Sequence, residues 1–223
     1  MKLTHYSLEN SIDFDESEVW TLVCDNSRQF AQLTHDFCVL LGRGDDGWNL
    51  YDGKQLDIAK YVMYLVDFHN VSINDKKSSN ILQDKLKQIA FDEEHTIITH
   101  EVLSKITGYL NELVADVDFP TRVSDVDLGV VFKSVTVSFL DESENLCEKL
   151  MDYVTLLSRL TVIKVLVCVN LRSYLELSEL ELFFNHCEQS GIKLLCIENR
   201  YKIKLNCEKI LYSDEDMCEF FPN

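Results

Sequence analysis

Four aspartates in the middle of the chain have the residue type and spacing that a metal ion requires. Two Asp-x-Asp pairs, Asp116/Asp118 and Asp125/Asp127, flank Pro120. Calcium takes about six to eight oxygen ligands, mostly carboxylates, carbonyls and water, from a loop that folds around it. The pattern is not an EF-hand, because it lacks the central glycine and the terminal glutamate. These residues therefore allow either a calcium site or an acidic loop exposed to solvent.

Basic residues are the second set that could do chemistry, through contacts to phosphate. They are few: 21 Lys and Arg stand against 38 Asp and Glu, for a net charge of −17 at pH 7. This acidity argues against general attraction to nucleic acid or anionic membranes, but it permits a local basic surface. Each basic side chain is either a phosphate contact or a solvated charge. The candidate DNA-binding residues are Lys76, Lys77, Arg122, Lys133, Arg172, Arg200, Lys202 and Lys204.

Motifs for catalysis are missing, and we predict no catalytic residue. The sequence contains neither G-x-S-x-G nor H-E-x-x-H. The stretch Gly42–Gly53, followed by Lys54 and Gln55, superficially resembles a P-loop. It has one residue too many between Gly47 and Gly53, and Gln55 has no hydroxyl to offer to magnesium. The sequence therefore lacks Walker motifs.

Cysteine usage and hydropathy indicate the compartment. The eight cysteines are scattered and form no C-x-x-C pair, so we expect neither a zinc site nor a disulfide framework. The first residues have no apolar core of the kind that a signal peptide needs. No run reaches the roughly 20 apolar residues of a membrane span. We expect a cytoplasmic protein that does not enter a membrane.

The stretch from Thr161 to Arg200 has the pattern of a β-α-β unit. The apolar run at 165–169 is continuous, which is typical of a parallel strand covered on both faces, and 192–197 reads as a second apolar strand. Between them Ser178 and Glu181 predict a capping box. Gly191 ends the predicted helix. Polar residues follow the carboxyl ends of both strands, where ligands of open α/β sheets usually bind. The apolar face of that helix is Leu180, Phe183, Phe184 and Cys187.

The other elements predict an α/β fold with a helical insertion. Val19–Cys24 reads as a strand before a helix, whereas residues 81–114 and 141–160 read as helices. We predict an α/β head from residues 1–74 and 161–223, and a helical leg from 75–160 with an acidic hinge loop at 116–127. Two apolar stripes at helical spacing accompany the long helices, and the second could pair within the chain or between chains. They are Ile98, Val102, Ile106, Tyr109 and Leu113, and then Leu146, Leu150, Tyr153, Leu157 and Leu160.

The C-terminal third resembles a known family. The segment KVLVCVNLRSYLELSELELFF, followed by IKLLCIENR and then ILYSDEDMCEF, follows the order of the small accessory proteins of type II-A CRISPR–Cas systems. The N-terminal strand and the two long helices fall in matching order. The chain departs from the family pattern at Asn199, where a proline is usual, at Glu176, and in a slightly longer loop with Pro120 and Arg122.

This resemblance implies both a fold and a function. It implies a head that is similar to P-loop NTPases but lacks working Walker motifs, with a parallel-sheet core and a helical leg. It implies a homotetrameric ring that admits the ends of double-stranded DNA and assists spacer acquisition in antiviral defence, together with other CRISPR adaptation proteins. It also implies Ca²⁺, for which Asp116, Asp118 and Asp125 match acids of the family, with Asp127 beside them.

Two alternatives belong to other functional classes. One is a P-loop-type nucleotide-binding enzyme with a degenerate site. The other is an adaptor that binds only proteins of the adaptation complex through its apolar helix faces, and that does not bind DNA. Nucleotide binding and DNA binding by the purified chain distinguish them.

Overall fold

The chain folds into two compact units. The computed structural model describes residues 1–40, 47–135, 137–140, 142–200 and 203–222. The first unit, which we call the head, comprises Met1–Ser72 and Glu142–Asn223. The second, the helical unit, comprises Ile73–Asp141. Both ends of the chain therefore contribute to the head, and the helical unit is an insertion.

The described residues of the head form ten strands in two sheets. The strands are β1 (Lys2–His5), β2 (Ile12–Asp13), β3 (Val19–Cys24), β4 (Trp48–Asp52), β5 (Lys54–Leu56), β6 (Val62–Leu65), β7 (Val165–Val169), β8 (Lys193–Glu198), β9 (Lys209–Ser213) and β10 (Glu219–Phe220). The main sheet has the order β10-β9-β3-β8-β7-β6, and the small sheet has the order β2-β1-β4-β5. In the main sheet β9, β3, β8, β7 and β6 are parallel, and β10 is antiparallel.

Helices and the small sheet cover the main sheet. The helices of the head are α1 (Ser27–Leu40), α2 (Ile58–Tyr61), α6 (Leu146–Leu160) and α7 (Leu177–Gln189). One face of the sheet, with Trp20 and Val167, shares a buried core with Phe37 of α1 and Trp48 of β4. Alternate residues of a strand face opposite ways, and those on the other face, such as Leu194, are also buried. Helix α7 packs against β3 and β8, and α6 packs against α7.

The predicted β-α-β unit is confirmed. Strands β7 and β8 are parallel neighbours joined through α7. Gly191 follows the helix with a φ of 69°, in the left-handed region that favours glycine. The capping box lies two residues earlier than predicted, because α7 begins at Leu177 rather than after Ser178: the Glu179 carboxylate accepts a hydrogen bond from Glu176 N at 2.8 Å.

The predicted boundary of the insertion at residue 160 is wrong, because α6 belongs to the head. Its apolar stripe is buried within the chain: Leu150, Tyr153 and Leu157 are covered, and α6 lies against α7. Asn145 caps the helix by accepting a hydrogen bond from Glu148 N at 2.9 Å. The seam of α6 thus pairs inside one subunit.

The helical unit contains three helices, α3 (Lys76–Ala90), α4 (Thr96–Ala115) and α5 (Leu128–Ser134). Asp75 caps α3 by accepting from Ser78 N at 2.6 Å, and α5 packs against α3. Residues 128–134 form helix α5, and the described residues 135 and 137–140 form no strand. The long helix α4 has no buried residue.

Candidate nucleic-acid interface

The carboxyl ends of β3, β7 and β8 lie side by side, because the three strands are parallel and adjacent. We call this the carboxyl edge. Asn170, directly after β7, adopts a left-handed φ of 55°, a conformation that asparagine tolerates better than most residues. Its backbone N donates to Ile197 O at 2.9 Å, and its Oδ1 accepts from Asn199 N at 3.2 Å. Asn170 therefore fastens the turn after β7 to the end of β8.

Arg172, a candidate phosphate contact, forms a buried ion pair instead. Its guanidinium pairs with Glu208, and the two side chains are only 8% and 0% exposed. Nη1 also donates to Ile203 O at 2.9 Å. Glu208 accepts further hydrogen bonds from the Thr21 hydroxyl and from Leu205 N. The prediction that Arg172 contacts DNA is therefore wrong, since its charge is neutralised inside the head.

Glu198 lies beside this pair at the end of β8. It is 2% exposed, and its Oε1 accepts from Arg172 N at 3.2 Å. Burial raises the pKa of Glu198 to about 7, against the opposing effects of the backbone hydrogen bond and of the positive charge of Arg172. The carboxyl therefore titrates close to neutral pH. The carboxyl edge is thus a tightly bonded part of the head rather than an open basic surface.

The start of α1 is where a phosphate would bind in a P-loop protein, directly after strand β3. Here the Asn26 side chain occupies the helix N-terminus: Oδ1 accepts from Arg28 N at 3.0 Å and from Gln29 N at 3.1 Å. Backbone donors that would otherwise be offered to a phosphate are thus already bonded. Residues 42–46 of the glycine-rich stretch Gly42–Gly53, which superficially resembles a P-loop, lie outside the described residues.

The structure does not bring the four aspartates together as a metal site. All four are exposed, and among the described residues no group of three or more His, Cys, Asp or Glu side chains is arranged to hold a metal ion. Asp116 caps the end of α4. Asp127 caps the start of α5, where its Oδ1 accepts from Gly129 N at 2.6 Å. Within one subunit and in this conformation, these residues do not fit the ligand set that calcium requires.

Four of the candidate DNA-binding residues lie in the helical unit and are exposed. Lys76 and Lys77 form the first turn of α3, and Lys133 lies in the last turn of α5. Because α3 packs against α5, both helices present basic residues on one compact unit. Arg122 lies in the loop between α4 and α5. Exposed ammonium and guanidinium groups of this kind suit contacts to backbone phosphates that carry no sequence information.

The remaining candidates follow β8. Arg200 is exposed, two residues beyond the strand. Lys204 is exposed, and its Nζ donates to Pro222 O at 3.1 Å. Lys202 lies outside the described residues. Arg200 and Lys204 therefore belong to the head and not to the helical unit.

Sequence analysis missed the polar network around Glu208. In a chain with 38 acidic residues, nothing in the sequence marks Glu208 or Glu198 as buried. Thr21 gave a weak signal, because it is a polar residue in the otherwise apolar strand β3. A polar side chain in a strand covered on both faces requires a buried partner, and here that partner is Glu208.

Comparison with known proteins settles the family. The model of the family described as CRISPR-associated protein (Cas_Csn2) matches residues 44–217. The chain belongs to this family. The resemblance seen in the sequence is thereby confirmed, and the protein has the CRISPR-associated accessory role that defines the family.

Solved structures agree with this assignment at the level of the fold. The crystal structure of Stu0660 of Streptococcus thermophilus is similar with a TM-score of 0.57 and 14% sequence identity, over 96% of this chain and 75% of that one. At this identity the likeness shows the fold alone, a mixed α/β fold with a parallel sheet and helices. No curated protein matches the sequence. Within the described residues, no helix is long and apolar enough to cross a membrane.

Proposed function

We propose that this Cas_Csn2-family protein is a non-enzymatic, calcium-dependent homotetrameric ring. It binds the ends of double-stranded DNA without sequence preference and assists spacer acquisition in CRISPR antiviral defence. Its partners are the DNA end, three further copies of the chain and other CRISPR adaptation proteins. The observation that carries the proposal is the family match over residues 44–217.

Exposed cations of the helical unit support DNA binding. Lys76, Lys77, Arg122 and Lys133 are all exposed, although the chain as a whole has a net charge of −17. An acidic molecule binds DNA only where its basic residues are gathered on a local surface that faces the phosphates. Within a ring, such a surface would face inward and the acidic remainder outward.

The apolar face of α4 supports self-association. Ile98, Val102, Tyr109 and Leu113 share one side of the helix and are 61%, 45%, 61% and 46% exposed. A contiguous apolar stripe on a 20-residue helix is unfavourable in water and marks a surface that another molecule covers. In a homotetramer, the covering molecule is a further copy of the chain.

The described residues of one subunit do not by themselves form a calcium site. The four aspartates are exposed and separate, so a calcium site needs a different loop conformation or ligands from a neighbouring copy. Calcium bound in the ring would offset part of the acidic charge and so favour assembly.

The proposal that the protein is not an enzyme rests on the head. Asn26 Oδ1 bonds the first amide groups of α1, where a P-loop would hold phosphate. The carboxyl edge, where α/β enzymes bind ligands, holds the Arg172–Glu208 pair in buried form. A nucleotide-binding measurement checks this directly, because a degenerate P-loop enzyme would bind ATP.

A gel-shift experiment tests the main proposal. Linear duplex and covalently closed circular duplex of the same sequence are compared, in calcium and then in EDTA. We expect retention of the linear form only, lost in EDTA and weakened by salt. Equal binding to both forms would exclude threading onto ends. Failure to bind either form in calcium would overturn DNA binding and favour the protein-only adaptor.

A further inference from the structure

The opposite edge of the main sheet, where the parallel strands begin, carries a group of lysines that the proposed function has not used. Lys60 lies in the last turn of α2, just before β6, and Lys164 directly precedes β7. The two segments are joined, because Lys164 N donates to Tyr61 O at 2.8 Å. The Nζ atoms of Lys60 and Lys164 lie 5.4 Å and 5.6 Å from the centre of the Tyr61 ring. Two ammonium groups thus flank a single tyrosine.

A third lysine comes from the small sheet. Strands β4 and β5 form a tight hairpin in which Asp52 stands directly opposite Lys54. Residues directly opposite in an antiparallel pair project from the same side of the sheet. Asp52 Oδ2 lies 3.1 Å from Lys164 Nζ, so the hairpin reaches the Tyr61 region. We call Lys54, Lys60 and Lys164 the lysine cluster.

The nearby carboxylates leave the cluster with a surplus of positive charge. Asp57 caps α2 by accepting from Ala59 N at 3.0 Å. The Asp52–Lys164 pair is 44% and 45% exposed, and water screens such exposed ion pairs so that they are weak. Within the described part of the chain, no carboxylate lies within 4.0 Å of Lys60 Nζ. A phosphate can therefore approach Lys60 directly and compete with Asp52 for Lys164.

Other lysines of the head differ from the cluster. Lys2, Lys193 and Lys209 each pair with an acidic residue, namely Asp13, Glu18 and Glu16, whereas among the described residues only Lys164 of the cluster has such a partner. The part of the same edge that lies between β3 and β9 is a cavity of about 380 Å³ with an acidic lining that includes Glu188. The basic surface is therefore local, and it is confined to the end of the edge formed by β6 and β7.

We propose that the lysine cluster is a contact site for the phosphate backbone of duplex DNA, located on the head and additional to the lysines of the helical unit. Two ammonium groups beside the Tyr61 ring and a third on the adjoining hairpin suit two neighbouring phosphates, with the Tyr61 hydroxyl as a further hydrogen-bond donor. These contacts are independent of base sequence, and their affinity falls as the salt concentration rises. This inference rests on the proposed function, since it assumes that the full chain binds duplex DNA.

Fluorescence anisotropy with a short labelled blunt-ended duplex tests the site at several salt concentrations. The variant Lys54→Gln/Lys60→Gln/Lys164→Gln retains most of each side-chain stem and removes three charges. We expect it to bind at least about fivefold more weakly. The slope of log affinity against log salt concentration should fall by the amount expected for the loss of about two phosphate contacts. Asp52→Asn should tighten binding, because it removes the competing carboxylate. The matched control, Lys2→Gln/Lys193→Gln/Lys209→Gln, has the same net charge and should change the affinity less than about twofold.

The outcomes separate this inference from the proposed function. If the unmodified protein binds the duplex but the triple variant binds equally well and with the same salt dependence, the lysine cluster is not a contact and the inference is wrong. If both triple variants lose the same affinity, the effect is one of net charge and the inference is equally wrong. If the unmodified protein binds no duplex under any condition, the proposed function itself fails. Circular dichroism of each variant confirms that the fold is intact.

Discussion

At the scale of single residues, the head depends on one buried charge pair. The side chain of Glu208 has no exposed surface, and it accepts hydrogen bonds from Arg172, Thr21 and Leu205 N. These bonds connect the turn after β7, the middle of β3 and the loop before β9. Removing one partner from a buried ion pair leaves an uncompensated charge inside the protein. This costs more folding free energy than replacing both partners with apolar residues.

Replacing Arg172 should therefore destabilise the protein strongly. We expect Arg172→Ala to lower the free energy of unfolding by about 3–5 kcal/mol, because Glu208 stays buried without its cation. Arg200→Ala is the matched control on an exposed arginine and should change it by less than about 0.5 kcal/mol. Urea denaturation followed by fluorescence measures both. Equal stabilities for the two variants would show that the pair does not hold the head together.

Glu198 makes the stability of the head depend on pH. Its pKa is raised to about 7 in the folded protein, from 4.5 in the unfolded chain, so the folded state binds the proton more tightly. This contribution to stability is complete below about pH 4.5 and is lost as the pH rises through about 7. The Glu198→Gln variant remains neutral and keeps an oxygen for Arg172 N. Relative to this variant, the unmodified protein should lose up to about 3 kcal/mol between pH 5 and pH 8 in denaturant titrations. A constant difference across that range would exclude the titration.

At the scale of elements, two glycines should respond oppositely to alanine. Gly191 follows α7 with a φ of 69°, whereas Gly108 is exposed in the interior of α4. No neighbouring atom lies within 4 Å of a Cβ added at either position, so the effect of each substitution on stability depends on backbone conformation alone. Gly191→Ala should destabilise the α7–β8 connection by about 1–2 kcal/mol. Gly108→Ala should stabilise α4 by about 0.5–1 kcal/mol. Amide hydrogen exchange of the two segments measures these changes, and shifts in the same direction would contradict them.

The elements also show how far sequence reasoning reaches. The strands β3, β7 and β8 were predictable, because short runs of mainly apolar residues indicate parallel strands covered on both faces. The partner of each apolar helix face was not predictable. Helices α4 and α6 carry similar stripes, yet only that of α6 is buried in the chain. Periodicity indicates that a face needs covering, but it does not identify what covers it.

The candidate site was less predictable than the fold, for a related reason. Arg172 is a candidate phosphate contact in the sequence because it follows a strand end. In the structure its side chain pairs with Glu208, 36 positions further along the chain. Conversely, Lys60 and Lys164 are more than 100 positions apart and meet only because β6 and β7 are neighbours. Charged residues are abundant in this chain, and which of them become neighbours depends on strand order.

At the scale of the whole molecule, the acidic charge and the exposed apolar stripe have a common consequence. A chain with a net charge of −17 repels its own copies, so assembly requires burial of apolar surface that outweighs this repulsion. The stripe on α4 is the surface of the helical unit best suited to this role. High salt screens the repulsion between copies, whereas it weakens contacts to phosphate. Salt should therefore affect assembly and DNA binding in opposite directions.

A charge placed on the stripe should prevent assembly. Ile98 is 61% exposed, and Ile98→Asp replaces an apolar contact with a carboxylate in a surface that we propose to be covered by another copy. Burial of an isoleucine is worth about 1.5–3 kcal/mol, so the assembly should weaken at least about tenfold at each contact. Ser104→Asp adds the same charge about 240° round the same helix, on an exposed position outside the stripe. Sedimentation velocity should show a smaller molar mass for Ile98→Asp alone. If both variants sediment like the unmodified protein, α4 is not the surface through which copies of the chain associate, and the ring must be built from other faces.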